Sequence, residues 1–331
     1  MTSSPLGFLS LSALPILFLL SFGPGHAPSQ PGYRSRVGTA SEPLFTIPEH
    51  DLYPESVAYD SGSGDYFLSS MAQSRILRIH TDGSYEDFVR GLEPRLQSSV
   101  GIKVDAQRRR LWVCTGRWTL FGGPEVPAVT GVLLFDLDDG ALLRSWLMDQ
   151  PSPGQIFNDI ALAADGDAYV TTTLFGRIYR ISPEQENMEL LLDRPGLQTN
   201  GITLGPEGDV LFFTLDRDIA WMDLATGEVR RVEGPEEASP GTDGLYFIDG
   251  SLVALQPRRR RIVRFRLDDS LTTIRKVEVL AEDEETFAYP TTGVLVGDRL
   301  VYVATSYADR PRNPDSVVQH PDLLIRALPL R

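Results

Sequence analysis

A single cysteine, Cys114, stands in 331 residues, so no intrachain disulfide can form. It lies in Leu-Trp-Val-Cys-Thr, a strand pattern that marks a buried, inert thiol and not a nucleophile. Positive charge is also short: 31 Lys and Arg face 45 Asp and Glu, a formal charge of −14. Such a surface repels a phosphate backbone, and nucleic acid is not an expected partner. No stretch carries the 3.6-residue apolar period of a helix, which leaves an all-β chain.

Charged side chains are absent from the N-terminus as well, where Pro5 to Gly23 is uncharged and mainly apolar and no Lys or Arg precedes it. Residues 1–27 read as a signal peptide, with the α-amino group as its only positive charge, and 28–42 as a low-complexity spacer. The run is just long enough for an uncleaved membrane anchor as an alternative. No cysteine lies near its end, which excludes a bacterial lipoprotein anchor. In either case the folded part is expected outside the cytoplasm, secreted or periplasmic, with no membrane contact beyond this segment.

What remains, residues 43–331, repeats itself. Phe157 to Ser182 holds a polar pair, an apolar run, the turn Asp165-Gly166, a run ending in threonines, a turn at Gly176 and an alternating run. These are three strands of an antiparallel meander. The same grammar opens at Glu55, Val100, Asn158, Asn200, Asp243 and near Thr292, at intervals of 42 to 58 residues. Four strands per unit at that period specify a single domain, a six-bladed β-propeller with four-stranded antiparallel blades. The sixth unit has only three strands of its own, so the orphan strand Leu44 to Ile47 is expected to enter the last blade and clasp the ring.

In a propeller the starts of the innermost strands converge on one mouth of the central channel. Glu55, Asn158, Asn200 and Asp243 stand there in blades one, three, four and five, and all four present oxygen. An oxygen-only set selects a hard cation, and Ca²⁺ tolerates irregular geometry with room left for water or substrate. Asn-Gly and Asp-Gly are common turn formers, but here they precede apolar runs at repeat spacing.

With those residues in place, the region from Pro43 to Leu328 resembles the calcium-dependent six-bladed propellers that include gluconolactonase, regucalcin, diisopropyl fluorophosphatase and paraoxonase. The resemblance implies one catalytic Ca²⁺ on Glu55, Asn158, Asn200 and Asp243, acting as a Lewis acid on a carbonyl or phosphoryl oxygen. It implies for Asp243 the role of catalytic nucleophile, or of the base that aligns a water. Two departures bear on substrate. Ile156 stands where sugar lactonases of this group carry Arg, and Ser99-Val100-Gly101 stands where paraoxonases carry His.

The expected function is an exported, Ca²⁺-dependent hydrolase acting on a small-molecule ester: a lactone, aryl ester or phosphoester. The alternative is a non-catalytic propeller of the NHL or YWTD kind that binds a protein or glycan around a structural ion. A lyase like strictosidine synthase is a third reading, without this ligand set. Around the mouth, Asp159 could orient Asn158, and His50 could act as acid or base. The long loops from Gly116 to Thr130, with Trp118 and Phe121, and from Tyr307 to Asp322 could form an apolar lid. The basic run Arg258 to Arg261 reads as solvated turn arginines, with attraction of an anionic substrate as the alternative.

Overall fold

The computed structural model describes residues 34–36, 40–92, 94–118, 129–148, 155–235, 241–282, 287–309 and 320–331. Its strands form six sheets in a ring, each built on an antiparallel blade of four strands, which in the first five blades follow chain order outward from the channel. Blade one runs from Val57–Tyr59 to Tyr85–Arg90, blade two from Ser98–Asp105 to Leu142–Leu147 and blade three from Ile156–Leu162 to Glu189–Asp193. Blade four runs from Thr199–Leu204 to Val229–Arg231, and blade five from Leu245–Ile248 to Ile274–Glu282. This is the all-β propeller that the repeat spacing predicts.

Blade six closes the ring as expected. Its inner strands Gly293–Val296, Arg299–Val303 and Leu323–Pro329 are completed by Glu42–Ile47, which pairs antiparallel with the last of them. Ser41, just before the clasp, accepts hydrogen bonds from Tyr302 Oη at 2.9 Å and Arg326 Nε at 2.7 Å. A second Arg326 nitrogen donates to the Ser41 carbonyl. The buried guanidinium thus fixes the start of the clasp on blade six.

One strand goes beyond the sequence reading. Arg34–Arg36 adds in parallel to Val277–Val279 on the outer edge of blade five, as a fifth strand. Three residues are too few for an alternation signal. The edge they cover belongs to the long strand Ile274–Glu282, whose outward backbone groups would otherwise have no strand partner.

The packing follows from the two-residue period of a strand. In Val210–Leu215, Val210 and Phe212 pack with blade five, whereas Leu211 and Phe213 pack with blade three. Each blade repeats this, so the described residues form six apolar clusters, one at each junction between neighbouring blades. The strand aromatics Trp112, Tyr169, Phe212, Tyr246 and Tyr302 all lie in these clusters. Truncating a fully buried ring such as Phe212 costs about 3–5 kcal/mol in a junction of this kind.

Candidate metal centre

Three inner strands carry the same irregularity at the same place. Against the second strand of their own blades, Val100-Gly101, Asn158-Asp159 and Asn200-Gly201 each set two residues opposite one. These are β-bulges, which re-aim side chains and leave backbone groups without a ladder partner. Hydroxyls on the second strands supply the missing acceptors. Thr171 Oγ1 accepts from the Asp159 N–H at 3.1 Å, and Thr214 Oγ1 from the Asn200 N–H at 2.9 Å. In blade one, Ser69 Oγ accepts from the N–H groups of Glu55 and Ser56 at 3.2 and 2.8 Å.

The glycines next to these residues are not turn residues. A Cβ on Gly101 would sit 2.0 Å from the Asn158 carbonyl oxygen, and one on Gly201 would sit 2.1 Å from that of Asp243. Glycine here lets inner strands of neighbouring blades touch backbone to backbone, which draws the ligand candidates toward the axis.

All four candidates are present at the channel. Glu55, Asn158 and Asp243 are buried, and Asn200 is half-buried. The Glu55 carbonyl accepts from Thr291 Oγ1 at 2.7 Å and Thr292 Oγ1 at 3.0 Å, which ties blade one to blade six. Asn158 uses its amide nitrogen on Thr173 Oγ1 at 2.7 Å. Asn200 hydrogen-bonds the Asp243 carboxylate. Both amide NH₂ groups are therefore engaged by the protein. Their carbonyl oxygens are not: Asn158 Oδ1, Asn200 Oδ1 and both carboxylate oxygens of Glu55 are buried without a hydrogen-bond partner.

A buried acceptor without a donor costs about 1–3 kcal/mol, and more when charged, so four together demand an occupant that supplies positive charge. The protonation behaviour agrees. Burial pushes Glu55 well above the usual carboxylate range, and the charges of Asp243 and Asp159 push it further. Burial likewise drives Asp243 up to about 7, against the hydrogen bond from Asn200. The donor set of two carboxylates and two amide oxygens fits a hard cation. Among the described residues no group of three or more His, Cys, Asp or Glu could hold a metal ion, so the amides are indispensable to such a site.

Asp159 lies beneath this set and is fully buried. Its Oδ1 accepts from its neighbour's N–H on Ile160 at 2.8 Å, and its Oδ2 from Ile202 N–H in blade four at 3.2 Å. It thus bridges blades three and four. Its countercharge is Lys103 Nζ at 3.7 Å, which also lies over the Tyr246 ring at 5.3 Å and 3.5 Å from the Gly293 carbonyl. Sequence reading passed over Lys103, although a lysine inside the apolar run Val-Gly-Ile-Lys-Val was a visible signal of an inward charge.

The remaining candidates divide. His50 is engaged elsewhere, with Nδ1 2.7 Å from the backbone oxygen of His320. His320 itself is buried, stacks on Tyr307 at 4.4 Å and shares a 2.8 Å hydrogen bond with Tyr53 Oη. Trp118 is half-buried and packs against the clusters that hold Ile156 and Met71. Phe121 and the greater part of both lid loops lie outside the described residues. Cys114 is fully buried and its thiol is pushed up by burial, in keeping with an inert role.

The basic run needs a correction. Arg261 is not a solvated arginine: it is buried, and its Nε donates to Gln256 Oε1 at 2.6 Å. Gln256 in turn donates to Thr242 Oγ1 at 3.3 Å, one residue before Asp243. Arg258 is exposed, but it hydrogen-bonds Tyr289 and its charge reaches Asp243. Turn arginines look alike in sequence, and only the pairing register separates them.

Residues 53–279 match the family model described as the SMP-30/gluconolactonase/LRE-like region. No curated protein matches the chain by sequence. Among solved structures, a regucalcin from Agrobacterium tumefaciens, described as calcium-binding, superposes with a TM-score of 0.60 at 16% identity, over 87% of this chain and 93% of that one. A gluconolactonase from Xanthomonas campestris gives 0.58 at 16% identity, over 89% and 99%. The PQQ-bound aldose sugar dehydrogenase of Streptomyces coelicolor gives 0.60 at 16% identity, over 87% and 98%. These likenesses establish a shared fold, which serves more than one chemistry.

Proposed function

The chain belongs to the SMP-30/gluconolactonase/LRE-like family, and we propose that it is a Ca²⁺-dependent hydrolase of an ester bond in a small molecule: a lactone, aryl ester or phosphoester. The observation that carries this reading is the set of four partnerless buried oxygens on Glu55, Asn158 and Asn200, beside the carboxylate of Asp243. Glu55, Asn158, Asn200 and Asp243 would hold the ion. Bound there, Ca²⁺ supplies Lewis-acid polarisation of the carbonyl or phosphoryl oxygen.

The chain's own residues do the rest. Asp243 would either attack the acyl or phosphoryl centre, expelling the alcohol and leaving an enzyme ester that water then cleaves, or take the proton of a water whose attack expels the alcohol, and the hydrogen bond from Asn200 sets its orientation. Burial around Glu55 and Asp243 excludes bulk water, which strengthens charge interactions at the reacting atoms. Ile156 is buried against Gly116, and Trp118 packs in the same cluster. These two side chains give the junction of blades two and three an apolar component, which favours an aryl or alkyl group over a polyhydroxylated sugar. Export, directed by residues 1–27, is part of the proposal, and N-terminal sequencing of the mature protein tests it.

Hydrolysis of a panel of lactones, aryl esters and phosphotriesters decides the reading. Turnover that disappears with chelator, returns with Ca²⁺ and is lost in Asp243→Asn supports it. Ca²⁺ binding without turnover of any substrate would overturn it in favour of a binding propeller with a structural ion.

A further inference from the structure

The turn after the second strand of blade five stands directly over the candidate centre. The Asp243 N–H donates to the Leu255 carbonyl at 2.8 Å, and the Leu255 N–H returns to Gly244 at 3.0 Å. One residue on, Gln256 ends the strand, and the chain makes a single 3₁₀ turn over Pro257–Arg259. Arg260, at φ +48°, closes that turn with its N–H on the Pro257 carbonyl at 3.0 Å. The anchored Arg261 and Gln256 brace the turn from below through Thr242. Arg258 is thereby held at the mouth, on the rim above Asp243.

A second element orients it. Tyr289 adopts φ +65°, a left-handed backbone that an aromatic residue takes only when its surroundings impose it. The segment on either side is strapped to blade six, with Ala288 N–H on the Ala304 carbonyl at 3.1 Å and Thr291 N–H on the Val303 carbonyl at 3.2 Å. The ring this strain positions is half-buried and hydrogen-bonded to Arg258. Among the described residues Arg258 forms no ion pair with a carboxylate. Its planar fork of N–H donors, exposed and braced at the mouth of a channel in a protein of charge −14, is a receptor for an anion.

We propose that Arg258, oriented by Tyr289, is a substrate-recognition residue and that the substrate carries a carboxylate beside the ester that is cleaved. The proposal rests on the hydrolase reading and names its substrate class: an apolar part lies toward Ile156 and Trp118 at blades two and three, and the anionic part toward blade five across the channel. Lys103 is already paired with Asp159 below, which leaves the Arg258 guanidinium to face the ligand from blade five.

The test uses the full chain loaded with Ca²⁺ and two matched lactones, one bearing a carboxylate and the other its carboxamide. Arg258→Gln lowers kcat/KM for the carboxylate roughly 10- to 100-fold, chiefly through KM, and changes the carboxamide less than about twofold. Arg258→Lys recovers part of the loss, and Tyr289→Phe gives a smaller loss with the same selectivity. Equal losses on both lactones, or none on either, overturn the proposal. Calorimetry with succinate, an unreactive dicarboxylate, separates this result from the hydrolase reading. If the wild type turns over neither lactone but Arg258→Gln loses succinate binding, the hydrolase reading falls and Arg258 stands. Equal succinate binding by wild type and Arg258→Gln refutes the role of Arg258.

Discussion

Chelated protein should lose stability as pH rises, and Asp243 sets much of the slope. Its carboxyl is raised from 3.8 to about 7 in the folded chain, so the native state holds a proton that the unfolded state has released. A native state that binds more protons is destabilised by rising pH, from near the unfolded value up through the folded one. The shift is about three units at about 1.4 kcal/mol each, a ceiling of about 4 kcal/mol, of which about 3 kcal/mol falls between pH 5 and pH 8. For a domain of this size that corresponds to roughly 5–10 °C in Tm. The assay is thermal denaturation by circular dichroism across this pH range, in chelator and then in Ca²⁺, for wild type and Asp243→Asn. The chelated wild type should fall more steeply than the variant by about 3 kcal/mol, because the amide removes the titration and keeps the shape. Ca²⁺ should flatten the wild-type curve, since a bound cation favours the ionised carboxylates, and at 100 times Kd it adds about 2.7 kcal/mol. Parallel curves for chelated wild type and Asp243→Asn would refute the reasoning.

Gly201→Ala places a Cβ 2.1 Å from the Asp243 carbonyl oxygen and 2.8 Å from Leu245 N, neither of which can yield without moving a strand. It should cost about 1–3 kcal/mol in chemical denaturation and weaken Ca²⁺ binding in calorimetry, whereas Gly196→Ala, at a site with open space, leaves Ca²⁺ binding unchanged. Lys103→Met strips Asp159 of its countercharge, so the chelated protein should lose about 3 kcal/mol while the more negative channel binds Ca²⁺ more tightly. Unchanged affinity would remove Lys103 from the electrostatics of the site. His50→Ala should leave kcat and its pH profile unaltered, because His50 is committed to the His320 carbonyl.

The ring and the four opening residues were legible because each blade repeats one phrase, and convergence on an axis follows once the phrase is counted. The clasp strand was legible for the same reason: five complete blades leave the sixth one strand short. Arg34–Arg36 was not, since its pairing is set by an unprotected edge far along the chain and not by its own pattern. At the site, what escaped notice acts through neighbouring blades. Thr171 and Thr214 look like ordinary strand threonines until the bulges opposite them expose an N–H. Arg258 and Arg261 stand three residues apart in one basic run, yet one faces the mouth and the other is buried under it. Gly101 and Gly201 were visible as glycines, but their reason is the carbonyl of the next blade, which no local turn rule contains.

The central claim is that the orphaned oxygens of Glu55, Asn158 and Asn200, with Asp243, form a cation site. Calcium titration of chelated protein by calorimetry at neutral pH tests it most directly. The account predicts one ion per chain in the wild type, and its loss in Asn158→Leu and in Asn200→Leu, each still folded by circular dichroism. Absence of Ca²⁺ binding in the wild type, or full binding in both variants, would contradict it.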